Sequence, residues 1–313
     1  MKILMIGEFS ETAKSAIAAH FPKEWNVVIV PPGPDIQRHL EDCQVLIPEH
    51  VQVDSNLLAH AKKLRLVQTG AGFDNVDIPA CTQLGIWAAN ASGVNAQAVA
   101  EHVLALILSY YKNIPFLDSF MRKRTNEEKL NYTGSELSGR TIGIIGWGAI
   151  GQKVAALCQA FDMKVLVYSR HAVQIEGGAE RTDLDTLLST SDMVSLHAAL
   201  NPQTRHSINQ TTFKKMKHTA LLINTSRGQI VNEDDLIEAL KVRDIAGACL
   251  DVFASEPLSP DSELRDLPHV ILTPHTAGMP DGRKFHKKRY DFFIENIRRV
   301  ENGKEPKSKL NQL

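Results

Sequence analysis

Polar residues follow short apolar runs at His197 after "MVSL", at Asn224, Thr225, Ser226 and Arg227 after "ALLI", at Asp251 after "GACL" and at His275 after "VILTP". Glu256 shares the loop "DVFASEPL" with Asp251. If the runs are parallel strands, these residues share the carboxyl rim of one sheet, the edge at which open α/β sheets bind ligands. An arginine, a carboxylate and a histidine on one rim suit the reduction of a 2-oxo acid. The planar fork of Arg227 matches a carboxylate and can polarise a carbonyl. His275 can donate the proton, and Glu256 beside it would stabilise the imidazolium and raise its pKa. Taken singly, each has a plainer use: Asp251 can cap a turn, and His197 can satisfy a loop carbonyl.

The same rim requires a hydride donor, and "TIGIIGWGAIGQKVAALCQAF" offers a place for one. Gly146, Gly148 and Gly151 form a GxGxxG turn between an apolar strand and the helical run "QKVAALCQAF", with Ala149 and Ile150 of the turn expected to contact the cofactor. The first glycine permits the tight turn, the second lets backbone approach a pyrophosphate, and the third allows close helix packing. The free N–H groups of the helix start face the phosphates. The carboxylate that usually binds the ribose 2′-hydroxyl is expected about 20 residues further on. Ser169 stands there, followed by Arg170. A serine removes the repulsion a carboxylate would exert on a 2′-phosphate. Arg170 could pair with that phosphate through a charge-assisted bond of roughly 1.5–3 kcal/mol. Glu176 could instead swing in as the missing acid. On balance the pocket favours NADP(H) over NAD(H).

Parallel sheets with crossover helices must position these groups. "KILMIG", "NVVIV", "VLIP", "LRLVQTG" and "LGIWAAN" read as the strands of a first sheet. "TIGII", "KVLVY", "MVSL", "ALLIN", "GACL" and "VILT" read as those of a second. Between them "AQAVAEHVLALILSYYKN" is apolar most of the way round, so it is expected to be buried between layers or subunits. The polar stretch "MRKRTNEEKLNYTGSELSGR" reads as a surface connection. From Arg283 to Val300 a helix puts Phe293, Ile297 and Val300 on one face and could return the chain to the first domain. Its basic run, Arg283, Lys284, Lys287, Lys288 and Arg289, reads as a solvated face.

Composition narrows the function classes. With 313 residues, 43% hydrophobic, the chain is long enough for two domains with real cores. Its 35 basic and 36 acidic residues leave a net charge of -1, so no global field points to nucleic acid or an anionic membrane. Cys43, Cys81, Cys158 and Cys249 stand far apart in apolar contexts and read as packed thiols, without metal-ligand spacing. "MKILMIGEFS" reads as a first strand and not a signal segment, and no run reaches membrane-span length. The expectation is a cytoplasmic protein.

"GIIGWGAIG", "INTSRGQIVNEDDLIEAL", "AGACLDVFASEPL" and "LTPHTAG", in that order, resemble the D-isomer-specific 2-hydroxyacid dehydrogenase family. "LVQTGAGFDNVDIPACTQLGIWAAN" resembles that family's substrate-domain loop, and "AVAEHVLALIL" its first cofactor-domain helix. The resemblance implies two Rossmann-like α/β domains with parallel sheets. The substrate domain, flavodoxin-like, would be discontinuous, residues 1–96 and 277–313 completed by the C-terminal helix, with the dinucleotide domain at 97–276. It implies Arg227, Glu256 and His275 as the catalytic trio, and backbone around Gly70, Ala71 and Gly72 holding the substrate carboxylate. Asp251 would contact the nicotinamide carboxamide, with His197, Thr225 and Ser226 in the cofactor cleft. A homodimer through the long apolar helix and a hinge between domains are implied too. NAD-using members typically carry aspartate where Ser169 stands, and the formate dehydrogenase branch typically carries glutamine where Glu256 stands. Reduction of glyoxylate or hydroxypyruvate is the leading expectation. Phosphoglycerate dehydrogenase and phosphite dehydrogenase are alternatives, and a dinucleotide-sensing transcriptional corepressor is the rival from another class.

Overall fold

Strands that are apolar on both faces need helices on both sides, and the chain builds two such sheets. The computed structural model describes residues 1–49, 51–122, 134–170, 174–175, 177–279 and 282–313, with backbone alone for 282–285. The chain divides into one unit of Met1–Asn95 with Pro280–Leu313 and another of Ala96–Met279.

In the first unit, β1 (Lys2–Ile6), β2 (Asn26–Val30), β3 (Val45–Pro48), β4 (Leu66–Thr69) and β5 (Trp87–Asn90) run parallel in the order β2-β1-β3-β4-β5. β1 is buried alternately on both sides: Ile3 and Met5 pack with Ile17 and Phe21, while Leu4 and Ile6 pack with Leu40 and Leu46. The helix Gly282–Glu301 closes the first of these layers with Phe293, Ile297 and Val300, all buried. Its basic run is not uniformly solvated, as the sequence pattern suggested. Lys287 is exposed and pairs with Asp291, whereas the Arg289 side chain is largely enclosed, paired with Glu49. The helix turns that one position inward, where a partner carboxylate follows β3.

The second unit carries β6 (Thr141–Ile145), β7 (Lys164–Tyr168), β8 (Glu180–Arg181), β9 (Met193–Leu196), β10 (Leu221–Asn224), β11 (Gly247–Leu250) and β12 (Val270–Leu272). They form a parallel sheet in the order β12-β11-β10-β9-β6-β7-β8. The order reverses at β6, so the loop after β6 opens at the topological switch point, where doubly wound sheets bind ligands. The helix Ala96–Tyr111 buries Val99, Val103, Leu106 and Ile107 against the helix Ala149–Gln159 and the sheet. The next helix, Ile114–Arg122, buries none of its residues; Ile114, Phe116 and Met121 are 52%, 51% and 74% exposed.

Among the described residues no helix is long and apolar enough to cross a membrane, and no group of His, Cys, Asp or Glu could hold a metal ion. The four cysteines are buried free thiols. Burial pushes Cys43 and Cys81 up to about 11 and Cys158 up to about 12, so they stay protonated and inert at neutral pH. Much of the polar stretch after Met121 lies outside the described residues, as does Glu176.

Candidate active site

The glycine turn has the geometry its spacing implies. Gly146 follows β6 with φ +106°, and a Cβ there would stand 2.6 Å from the His197 carbonyl carbon and oxygen. A Cβ at Gly151 would stand 2.3 Å from the Gly146 carbonyl oxygen, so only glycine lets the helix Ala149–Gln159 start this close to the strand. Gly148 faces open space, and no side chain caps the helix it begins. Ala149 and Ile150 thus open a helix whose N-terminus is available to an anion.

Two buried polar atoms at neighbouring strand ends lack partners: His197 Nδ1 after β9 and Thr225 Oγ1 after β10. Burial lowers the His197 pKa to about 4, so its ring is neutral, with Nε2 2.9 Å from Ser195 Oγ. Orphaned polar atoms are costly without a ligand. Together with the open side of Gly148, they fit a dinucleotide lying across the ends of β6, β9 and β10.

Beyond β7, Ser169 is half-buried and Arg170 exposed. Sequence reading overlooked a second arginine here. Arg181 of β8 donates from Nη2 to the Ser169 carbonyl at 3.3 Å, which brings another cation to the end of β7. Pairing of β7 with β8 could have found it, but β8 is too short and polar to show a strand pattern.

The loops after β10, β11 and β12 converge on the proposed trio. Asn224 accepts from both N and Oγ of Ser226, at 3.1 and 2.8 Å, and donates to the Arg227 carbonyl at 3.0 Å. The Ser226 hydroxyl is therefore engaged by this turn. A Cβ at Gly228 would stand 1.9 Å from the Phe253 carbonyl, so glycine lets the Arg227 turn lie directly on the loop carrying Glu256. Glu256 Oε1 accepts the Phe253 N–H at 3.1 Å, and Oε2 lies 2.6 Å from His275 Nδ1.

His275 has φ +54°, a left-handed backbone costing of order 1–3 kcal/mol for a residue with a side chain. Asp251 holds it there. Its fully buried carboxylate accepts from Thr273 Oγ1 at 2.5 Å and from the N–H groups of Thr276 and Ala277 at 2.9 Å each, while its carbonyl accepts the His275 N–H at 2.8 Å. These donors occupy Asp251 with placing the His275 loop.

Electrostatics follow from the pairing. The hydrogen bond from His275 Nδ1 to the Glu256 carboxylate holds the His275 pKa above the ordinary imidazole value, against burial and Arg227, which lower it. Burial alone would raise Glu256; its bonds to His275 and the Phe253 N–H, with the charges of His275 and Arg227, leave it lowered. A proton donor must be protonated, so kcat/KM for reduction is expected to hold at low pH and fall as pH rises through the raised His275 pKa. Glu256→Gln should move that fall to lower pH, and an unmoved limb in the pH profile would contradict the pairing. The pair's stability contribution is lost on both sides: as pH rises through the raised His275 value, and as pH falls through the lowered Glu256 value.

In the first unit, the loop after β4 carries Gly70, Ala71 and Gly72. The Gly70 carbonyl accepts Ala91 N and the Ala71 carbonyl accepts Asn90 Nδ2, both at 2.8 Å. Among the described residues, the N–H groups of Ala71 and Gly72 donate to no protein acceptor, so the loop can receive an anion.

A parallel sheet with a glycine turn at its switch point, and a histidine–carboxylate pair and an arginine on the loops after its later strands, has the makings of an oxidoreductase that uses a nicotinamide dinucleotide. The model of the D-isomer specific 2-hydroxyacid dehydrogenase NAD-binding domain matches residues 104–277. The chain belongs to the D-isomer specific 2-hydroxyacid dehydrogenase family. It is 39% identical to a glyoxylate reductase of Aeropyrum pernix over 83% of this chain and 80% of that one. It is 33% identical to a glyoxylate reductase of Korarchaeum cryptofilum over 99% and 96%. A D-3-phosphoglycerate dehydrogenase of Archaeoglobus fulgidus is 39% identical over 74% of this chain and 45% of its own. Among solved structures, an acyclic imino acid reductase in complex with NADPH and D-Arg superposes with TM-score 0.87, 28% identity and coverage of 99% and 100%. The D-lactate dehydrogenase of Aquifex aeolicus with NAD and lactic acid gives 0.84, 28% and 96% of each chain.

Proposed function

We propose that the chain reduces a small 2-oxo acid of the glyoxylate or hydroxypyruvate type to the D-2-hydroxy acid and prefers NADP(H). The observation that carries this reading is the His275–Glu256 pair, 2.6 Å apart on the loop rim that also bears Arg227. The glyoxylate reductase relatives support the substrate class. A nicotinamide dinucleotide held at Gly148, His197 and Thr225 would supply the hydride for the 2-carbon. Arg227 holds the substrate carboxylate and polarises its carbonyl, so charge developing on the oxygen meets a fixed cation. His275 gives its proton to that oxygen, and Glu256 stabilises the imidazolium before transfer and keeps the ring oriented.

Ser169, Arg170 and Arg181 support NADP(H): no described carboxylate occupies the place of the ribose-binding acid, and two arginines stand near it. Ser169→Asp is expected to turn preference from NADPH toward NADH, read as the ratio of kcat/KM for the two. A wild-type ratio at or below one would show the serine to be permissive only. The free, buried cysteines suit a reducing cytoplasm. The long helix Ala96–Tyr111, expected to form a homodimer, buries Val99, Val103, Leu106 and Ile107 within its own unit, so the homodimer is proposed instead through the exposed apolar side chains of the next helix, Ile114–Arg122.

A phosphoglycerate dehydrogenase activity is the second reading, favoured by the Archaeoglobus relative. Purified protein assayed with glyoxylate, hydroxypyruvate, 3-phosphoglycerate and phosphite, each with both dinucleotides, separates them. The proposal expects highest kcat/KM with glyoxylate or hydroxypyruvate and NADPH. Preference for 3-phosphoglycerate or phosphite would replace it, and no turnover with any would favour a dinucleotide-sensing corepressor.

A further inference from the structure

A second charged device stands at the carboxyl edge of the first unit's sheet. Glu49 directly follows β3, and its carboxylate pairs with the Arg289 guanidinium of the closing helix. Their side chains are only 15% and 11% exposed. Arg289 Cζ lies 5.1 Å from the centre of the Phe293 ring. On the glycine side, a Cβ at Gly70 would stand 3.3 Å from Nη2 and 3.6 Å from both Cζ and Nε. These near-equal distances present the face of the cation to Gly70, in a slot that a larger residue would press upon. Arg289 Nε is buried and has no partner. A well-packed apolar pair would join helix to sheet as firmly as a buried ion pair does. Stability alone therefore gives no reason for charges here.

What they adjoin does. The carbonyls of Gly70 and Ala71 are turned to Ala91 and Asn90, and the N–H groups of Ala71 and Gly72 remain for an acceptor. We propose that Arg289, tempered by Glu49, is a substrate-positioning residue: it supplies the positive potential beneath the Gly70–Gly72 cradle that receives the anionic end of the substrate. The inference rests on the reading of the chain as a 2-oxo acid reductase. Water is largely excluded from the pair, so the guanidinium acts on the cradle with little screening. Glu49 cancels part of that field and fixes the guanidinium against the glycine.

The pair makes predictions of opposite sign. With glyoxylate and NADPH, Arg289→Met should raise KM for glyoxylate about tenfold while kcat changes little, the pattern of lost uniform binding. Glu49→Gln should lower the same KM. The double variant, which leaves no buried unpaired charge, should show the raised KM with a thermal unfolding midpoint near that of the wild type. It carries the test if Arg289→Met alone does not fold. An active wild type whose KM is unmoved in the double variant, or moves upward in Glu49→Gln, would overturn the inference alone. A wild type that reduces no 2-oxo acid would overturn the functional reading as well.

Discussion

Replacing His275 by alanine is expected to lower kcat for 2-oxo acid reduction by about 10²–10⁴-fold, the usual contribution of a positioned acid. The loss should fall on the proton-transfer step and leave the fold intact. The loop is pinned by Asp251 through Thr273, Thr276 and Ala277, none of which depends on the imidazole. The φ of +54° would be kept by those bonds after substitution. Affinity for the dinucleotide should stay near the wild-type value, because the atoms that fit it lie at Gly148, His197 and Thr225. The pH profile should lose the limb that Glu256→Gln merely shifts. Steady-state kinetics beside dinucleotide titration check this, and a variant with wild-type turnover would remove His275 from the mechanism.

Arg227→Ala is the second large effect, expected to cost about 10²–10³-fold in kcat/KM, as for removal of a donor aimed at a developing oxyanion. The Arg227 side chain adds one bond to its own turn, Nη1 to the Ser226 carbonyl at 2.7 Å, while the Asn224 amide and the fit of Gly228 against Phe253 hold the turn besides. The loss should thus reflect the missing cation. Arg227→Lys should recover only part of it, because an ammonium keeps the charge without the planar fork. Guanidinium added to Arg227→Ala should restore some rate. Unchanged kinetics with 2-oxo acids would contradict the assigned role.

Much of this was readable beforehand because the signals are local. Gly146, Gly148 and Gly151 lie within one turn, and apolar runs such as "MVSL" and "GACL" mark strands whose ends collect the polar rim. The family motifs run in order from Leu66 to Gly278. What escaped reading depends on long-range pairing. Arg181 sits on a two-residue strand and reaches Ser169 only because β8 pairs with β7. Glu49 and Arg289 are joined across most of the chain, so a basic run that looked solvated contains a largely enclosed member. The four bonds from the His275 loop to Asp251, three to its carboxylate and one to its carbonyl, depend on how β11 and β12 end. Ser169 was legible as an absent acid, and the second cation beside it needed the fold.

The most direct measurement is the stereochemistry of one turnover product. Hydroxypyruvate is reduced by the purified chain with NADPH, and the glycerate is resolved by chiral chromatography. D-glycerate is expected, formed at a rate that His275→Ala abolishes nearly completely. L-glycerate, or no reduction of either hydroxypyruvate or glyoxylate by an otherwise folded protein, would contradict it.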